Sequence, residues 1–148
     1  MSDIDCDSVH DYVQGISVKH SNKLRLVHIN IQSMLDDSRQ AEFVDIFSHS
    51  GIDIIIVSET WLKDGIEVNL PGYVSFYSNR GGEKRAGGVA VFIKSCYTAK
   101  IISTSLGNIS KPEYILLKVL VGCDKILVAG IYRPPKMGFL GVISRRYL

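Results

Sequence analysis

The stretch that decides the fold is Ile52-Asp53-Ile54-Ile55-Ile56-Val57, which leads directly into Ser58 and Glu59. A short apolar run rich in β-branched residues is typical of a strand buried on both faces. Upstream, residues 24–31 read Leu-Arg-Leu-Val-His-Ile-Asn-Ile and alternate at first with period two, which predicts a further strand.

The segment between these two strands predicts a helix that Ser38 caps and that runs to about Ser50, with Gly51 as its stop. The apolar stripe of this helix consists of Ala41, Phe43, Val44, Ile46 and Phe47. Strand, helix and buried strand in this order predict a βαβ-like start.

More strands are predicted downstream, after a turn at Pro71-Gly72. They span Tyr73–Tyr77, Gly88–Lys94 with Tyr97–Thr104 as its expected partner, and Tyr114–Val121 with Lys125–Tyr132. The last two flank a hairpin-sized connection, and Pro134-Pro135 ends the region because proline cannot continue a strand ladder. The order predicts an α/β chain in which strands outnumber helices after residue 70.

The composition is that of one globular domain. The chain has 148 residues, of which 46% are hydrophobic and 22% charged, and these values argue against a wholly disordered chain. Three cysteines without a CxxC pair argue against a disulfide framework or a zinc knuckle. The acidic start does not fit a secretory signal, and no apolar run approaches the roughly 20 residues of a membrane-spanning helix. We expect an intracellular protein of the nucleus or cytoplasm, with no membrane partner.

The net charge of +2 hides an asymmetry between the two halves of the chain. Residues 1–74 contain 5 basic and 12 acidic residues, a net of −7, whereas residues 75–148 contain 12 basic and 3 acidic residues, a net of +9. The basic half suits a polyanionic partner. Composition leaves open the alternative that two oppositely charged faces of one domain balance each other.

Two polar groups follow predicted strands, where scaffolds commonly place active-site residues. Asn30-Ile31-Gln32-Ser33 offers an amide that can bond near a metal or phosphate, although a side chain that merely caps the turn is the simpler interpretation. Glu59-Thr60-Trp61 offers a carboxylate on a rigid element, and Mg²⁺ prefers oxygen ligands. A solvated acid at a strand end is the alternative for Glu59.

Two basic groups lie in the second half of the chain. Residues 80–88 read Arg-Gly-Gly-Glu-Lys-Arg-Ala-Gly-Gly, in which a flexible backbone and cations could approach a phosphate chain. This loop matches neither the Walker A pattern nor GxGxxG, and it could simply be a long hairpin tip. Tyr132-Arg133-Pro134-Pro135 offers a hydroxyl and a guanidinium for phosphate recognition, or simply a strand ended by prolines.

Taken in this order, the four groups resemble the endonuclease/exonuclease/phosphatase superfamily, and most closely the apurinic-endonuclease-like domain of non-LTR retrotransposons. The likeness covers about residues 23–136, between a flexible tail at 1–22 and a truncated tail at 137–148. Each motif is weak alone, but their shared order and spacing make a stronger joint signal. The motifs that carry it are Asn30-Ile31-Gln32-Ser33, Glu59-Thr60-Trp61-Leu62, Pro71-Gly72-Tyr73, Gly87-Gly88-Val89-Ala90-Val91-Phe92 and Tyr132-Arg133-Pro134-Pro135.

The resemblance implies an α/β fold, here an incomplete four-layer sandwich in which two mixed β-sheets pack face to face with helices outside. It implies phosphodiester cleavage that depends on Mg²⁺ (or Mn²⁺), by which such a domain nicks target DNA. By matching position, Glu59 would be the metal-ligating carboxylate, and Asn30 would support the metal and phosphate site. Tyr132 would contact the scissile phosphate or its nucleophile.

The resemblance also implies contacts between basic residues and the DNA backbone. Arg133 would be a further phosphate contact, and the loop that contains Arg80, Lys84 and Arg85 would lie near the DNA. A reverse transcriptase domain is expected in the full-length element, whereas the 148 residues contain no such segment.

The sequence departs from the family's pattern after Tyr132. The complete domain continues with an Asp-x-Asn motif and a late Asp–His pair, but this chain contains no Asp-x-Asn, and its four histidines all precede Tyr132. We therefore expect the first part of a larger domain, which lacks most of the second sheet and has little or no activity alone.

Three other functions are compatible with the residues. The basic half could serve a non-catalytic nucleic-acid-binding module. A partial sandwich could be a structural remnant that self-associates through an exposed apolar sheet face. A lipid or inositol phosphate could replace DNA as the substrate within the same superfamily, although the motifs resemble the retroelement branch more closely.

Overall fold

The computed structural model describes residues 23–80, 86–105 and 112–134. They form one helix and seven strands, and each strand lies within two residues of its predicted bounds. The tails at 1–22 and 137–148, together with Lys84 and Arg85, lie outside the described residues. The elements are β1 (Leu26–Asn30), α1 (Asp37–Ser48), β2 (Ile54–Ser58), β3 (Tyr73–Ser78), β4 (Val89–Lys94), β5 (Thr98–Thr104), β6 (Glu113–Val121) and β7 (Asp124–Tyr132).

Sheet A contains four strands in the order β1-β2-β4-β3. β1 and β2 are parallel and α1 connects them, which confirms the βαβ-like start. β4 runs antiparallel to both β2 and β3. All five residues of β2 are buried, as the apolar run predicts, because β2 has a strand on each side and a packed layer on each face.

The helix begins and ends slightly earlier than predicted. Its N-cap is Asp36, whose carboxylate accepts a hydrogen bond from the Ser38 backbone N–H at 3.1 Å, so Ser38 lies in the first turn. Aspartate and serine are equally favoured as caps, and the sequence pattern alone does not separate them. The predicted stripe buries Phe43, Ile46 and Phe47, whereas Ala41 is exposed.

Sheet B contains β5, β6 and β7, which are antiparallel throughout. The predicted hairpin between β6 and β7 is confirmed, with Val121 paired with Asp124 across a two-residue turn. Gly122 has a φ of 61° at the first turn position, where tight hairpins of this kind require glycine. The prediction that residues 97–104 pair with β4 is wrong, because β2 and β3 already occupy both edges of β4 and β5 pairs with β6 instead.

Sheet A is packed on both faces. One buried cluster joins its outer face to α1, and a second fills the space between the two sheets. The sheets approach closely at Gly130, where a β-carbon would lie 2.9 Å from Val89 and 3.0 Å from Ile56. This arrangement confirms an α/β fold with two sheets face to face, sheet A being mixed and sheet B antiparallel. The single helix of the described residues is not one that could cross a membrane.

Candidate active site

Asn30 and Glu59 are brought together by the parallel pairing of β1 with β2. Asn30 is the register partner of Ser58, so Glu59 lies one residue past that pair. Beyond the strand ends the two segments remain hydrogen-bonded to each other. The Ser33 N–H donates to the Glu59 carbonyl at 2.8 Å, and the Met34 N–H donates to the Thr60 carbonyl at 2.8 Å. The first two predicted polar groups therefore lie side by side at one edge of sheet A.

Glu59 and its neighbours have an uncommon backbone. Glu59 and Trp61 each have a φ of 57°, in the left-handed region that residues other than glycine rarely adopt. Gln32 and Ser33, on the facing loop, have φ values of 50° and 108°. Such conformations persist where the surroundings fix them, and they cluster at functional sites. The buried Thr60 between the two left-handed residues holds this segment in the core.

Tyr132, the last residue of β7, contacts Glu59 although 73 positions separate them in the chain. Its hydroxyl donates a hydrogen bond to Glu59 Oε1 at 2.8 Å. Burial, the hydrogen bond to Glu59 and the charge of that carboxylate raise the pKa of Tyr132 to about 12. The phenol is therefore a protonated hydrogen-bond donor at neutral pH. The structure thus brings Tyr132 of sheet B to the Glu59 end of sheet A.

Glu113 lies beside this pair and was not predicted from the sequence. It is the register partner of Tyr132, is 2% exposed, and accepts a hydrogen bond from the Gly88 backbone N–H. Burial raises the pKa of Glu113, while the Gly88 N–H and the charge of Arg80 act in the opposite direction. The alternation of β6 could have indicated that Glu113 is buried, because it points to the same face of the strand as the buried Ile115, Leu117 and Val119.

His28 and Ser58 form a second contact, which the sequence patterns do not predict. His28 Nε2 lies 3.1 Å from the hydroxyl of Ser58, which is 3% exposed. Ser58 immediately precedes Glu59, and His28 is two residues before Asn30 on the same face of β1. The alternation of β1 predicts that His28 and Asn30 point to the same face of the strand, but it does not predict that His28 contacts Ser58.

The predicted basic residues differ in what surrounds them. Arg80 Nε lies 3.2 Å from Glu113 Oε1, and its side chain is only 13% exposed, so Arg80 is held by an internal carboxylate. Arg133 follows Tyr132 directly, and its buried Nε has no hydrogen-bond partner among the described residues. Within the described residues, the Arg133 guanidinium therefore retains an unused N–H donor, one position after Tyr132 in the chain.

The donor set suits a hard cation in type. Glu59 offers a carboxylate and Asn30 an amide oxygen, and Mg²⁺ in proteins commonly uses one or two carboxylates with water completing its coordination. Residues 23–80, 86–105 and 112–134 contain no group of three or more His, Cys, Asp or Glu side chains arranged to hold a metal. The site thus offers ligands of the right chemistry but few of them.

Comparisons with known proteins find one matching family and several sequence relatives. The sequence model described as "Endonuclease/Exonuclease/phosphatase family" matches residues 27–141. The chain is 33% identical over 102 residues, 66% of its length, to an RNA-directed DNA polymerase from mobile element jockey of Drosophila melanogaster. It is 31% identical over 104 residues, also 66% of its length, to a probable RNA-directed DNA polymerase from transposon BS of the same species. The matched region spans 11% of the length of each relative.

Proposed function

The chain belongs to the endonuclease/exonuclease/phosphatase family, and we propose that it derives from the DNA-nicking endonuclease domain of a non-LTR retrotransposon. The observation that carries the proposal is the hydrogen bond between Tyr132 and Glu59. It joins the two residues that the resemblance assigns to the scissile phosphate and to the metal. The relatives, which are proteins of mobile elements, favour nucleic acid over a lipid or inositol phosphate as the substrate.

Glu59 and Asn30 are the residues that would hold Mg²⁺ or Mn²⁺, in keeping with the general use of divalent metals in this family. When bound, the metal would polarise a phosphoryl oxygen and stabilise negative charge on the leaving group. Glu59 is oriented for this task by two features, the fixed backbone of its segment and the hydrogen bond that Oε1 accepts from Tyr132.

Tyr132 would contact the phosphate or the attacking water, and its single hydroxyl proton, which Glu59 Oε1 accepts in this structure, would have to leave Glu59 to be donated there. Because its pKa is raised to about 12, it keeps its proton at neutral pH and does not act as the base. Arg133 would supply a charged donor to a neighbouring phosphate oxygen. The roles of Arg80, Lys84 and Arg85 at the DNA backbone are proposals of the same kind, with Arg80 already engaged by Glu113.

We expect a polypeptide of these 148 residues to have little nicking activity. The family's Asp-x-Asn and late Asp–His motifs do not occur in it, and losing members of a catalytic unit lowers rates by orders of magnitude. The test is relaxation of supercoiled plasmid in Mg²⁺, with Glu59→Ala as the comparison. Strong nicking that Glu59→Ala abolishes would refute the expected inactivity.

A chimera tests the proposed ancestry more directly. Residues 136–148 are replaced by the later part of the domain from a retroelement endonuclease that has both the Asp-x-Asn and the late Asp–His motifs. We expect Mg²⁺-dependent nicking that falls at least about 100-fold in Glu59→Gln, whereas Glu42→Gln on the exposed face of α1 leaves it unchanged. A folded chimera that binds Mg²⁺ but does not nick DNA would contradict the proposal.

Non-catalytic nucleic-acid binding is the second candidate, favoured by the net charge of +9 in residues 75–148. Phosphate contacts release counterions, so the affinity for duplex DNA should fall steeply with salt, by about 0.9 log unit per contact for each log unit of salt. Undetectable binding to duplex DNA at low salt would exclude this function.

A reverse transcriptase is the partner we propose for the parent element. The matched relatives are described as RNA-directed DNA polymerases, and the region they share with this chain is 11% of their length. A nick made by the endonuclease domain would supply the DNA end that such a polymerase extends. Sequencing of the genomic DNA downstream would reveal a reverse transcriptase reading frame if this proposal is correct.

A further inference from the structure

A buried carboxylate, that of Glu113, lies at the junction of the two sheets and has no role in the reaction described above. Its side chain is 3% exposed, it accepts a hydrogen bond from the Gly88 N–H, and Arg80 Nε lies 3.2 Å from Oε1. Burying a charge is costly unless such partners compensate for its lost hydration. An apolar side chain would fill this space without that cost, which points to a role for the polar contacts.

The glycine pair next to Glu113 is itself bonded to the segment Thr60–Trp61. The Gly87 carbonyl accepts a hydrogen bond from the Trp61 N–H at 2.9 Å, and the Gly88 carbonyl accepts one from the Thr60 N–H at 3.4 Å. A side chain at Gly87 would overlap the Glu113 carboxylate, and one at Gly88 would overlap the Thr60 hydroxyl. The glycine pair therefore connects Glu113 to residues 60 and 61. It donates one hydrogen bond to the Glu113 carboxylate and accepts one from the backbone N–H of each of these two residues.

Glu59 depends on this segment for its direction. The φ of 57° at Glu59, repeated at Trp61, is unfavourable for residues with a side chain, and it persists only where neighbouring contacts fix it. The hydrogen bonds from Thr60 and Trp61 to the glycine pair are contacts of this kind. Loosening the glycine pair would let the Glu59 backbone relax toward commoner conformations.

The backbone of Glu113 is also paired with that of Tyr132, the residue that contacts Glu59. Glu113 and Tyr132 are register partners across β6 and β7, and the Tyr132 hydroxyl donates to Glu59 Oε1. One residue is thus connected to Tyr132 through the strand ladder and to the Glu59 segment through its side chain.

We infer that Glu113 is a positioning residue for the Glu59–Tyr132 pair: its carboxylate holds Gly87–Gly88 against Thr60–Trp61 and thereby sets the direction of the Glu59 side chain. What the pair does rests on the proposed function. The positioning itself can be measured without any reaction.

Trp61 provides the probe, because it is the only tryptophan in the chain. Glu113→Asp withdraws the carboxylate by one methylene and keeps its charge, whereas Glu113→Gln keeps the length and an acceptor oxygen for the Gly88 N–H. Glu42→Asp, at an exposed position of α1, is the matched control. Each protein is checked by circular dichroism, and then acrylamide quenching of Trp61 and the affinity for Mn²⁺ are measured.

We expect Glu113→Asp to raise the quenching constant of Trp61 about twofold, because the segment opens locally more often. Its Mn²⁺ affinity should fall about tenfold, the equivalent of one lost hydrogen bond. Glu113→Gln should rescue both properties to within about twofold of wild type, since it restores the acceptor. Glu42→Asp should match wild type.

Wild-type quenching in a folded Glu113→Asp protein would overturn the inference, and so would failure of Glu113→Gln to restore it. If Glu113→Asp does not fold, hydrogen exchange of the Trp61 amide is measured instead. We expect this amide to be protected in wild type and in Glu113→Gln. Rapid exchange in either protein would overturn the inference. Absence of Mn²⁺ binding in wild type would refute the metal assignment of Glu59 while the Trp61 results still test the positioning.

Discussion

The two sheets differ in how completely they are covered, and the candidate site takes residues from both. Sheet A is packed against α1 on one face and against sheet B on the other, and every residue of β2 is buried. Within residues 23–80, 86–105 and 112–134, sheet B is packed on its inner face only, and its outer face exposes Leu127 at 68% and Ile131 at 44%. Glu59 therefore comes from the well-supported sheet, whereas Tyr132 comes from the half-covered one.

This difference indicates where the site depends on long-range contacts. The strand ends that carry Asn30 and Glu59 are joined by the parallel pairing of neighbouring strands. Tyr132 reaches them because β7 packs across sheet A near Gly130, and Glu113 joins β6 to Gly88 through the hydrogen bond from the Gly88 N–H. Changes in sheet A should therefore act on the whole fold, and changes at the outer face of sheet B should act mainly on association.

The largest effect is expected in the core of sheet A. Phe92 of β4 is fully buried and packs against Phe43 and Tyr77. Phe92→Ala should lower the free energy of unfolding by about 3–5 kcal/mol, since it removes buried surface and leaves a cavity. Urea denaturation followed by circular dichroism measures the change. A loss below about 1 kcal/mol would mean that sheet A is not the well-packed region described above.

A smaller effect, on pH dependence, is expected at Glu113 between the sheets. Burial raises the pKa of Glu113, so between the ordinary carboxyl pKa and this raised value the folded protein binds more protons than the unfolded chain. This contribution to stability is present below the ordinary pKa and is lost as the pH rises through the raised one. Glu113→Gln should remove it, which urea denaturation across that pH range would detect. An unchanged pH profile in Glu113→Gln would contradict the prediction.

The smallest effect on stability is expected at the outer face of sheet B. Leu127→Lys changes a side chain that is 68% exposed, so the free energy of unfolding should change by no more than about 0.5 kcal/mol. Self-association, predicted for an exposed apolar sheet face, should decrease in this variant. Sedimentation velocity at several concentrations compares it with wild type, and a wild-type protein that is monomeric throughout would refute the prediction of self-association.

Local patterns in the sequence predict most of the secondary structure. The β-branched run before Glu59 and the alternation before Asn30 each determine a strand from neighbouring residues, and the structure has both. The partner of residues 97–104 was predicted wrongly because strand pairing is a long-range choice, here decided by the occupied edges of β4. The helix cap could not be chosen because Asp36 and Ser38 are both good caps within three residues.

The candidate site shows the same division between local and long-range information. Asn30, Glu59 and Tyr132 were identified from their positions at strand ends and from the resemblance, and the structure brings Tyr132 into contact with Glu59. Glu113 was missed because its role depends on Gly88 and Arg80, which lie 25 and 33 positions away in the chain. Only the fold brings those groups together.

A double-mutant cycle on Glu59 and Tyr132 tests the central claim that the two sheets contribute to one site. Glu59→Ala, Tyr132→Phe and the double variant are unfolded in urea, and the coupling free energy is obtained from the four stabilities. Hydrogen bonds to charged groups contribute about 1.5–3 kcal/mol, and because both side chains are only partly buried we predict a coupling of about 1–2 kcal/mol. Additive effects, with a coupling below about 0.3 kcal/mol, would contradict the account.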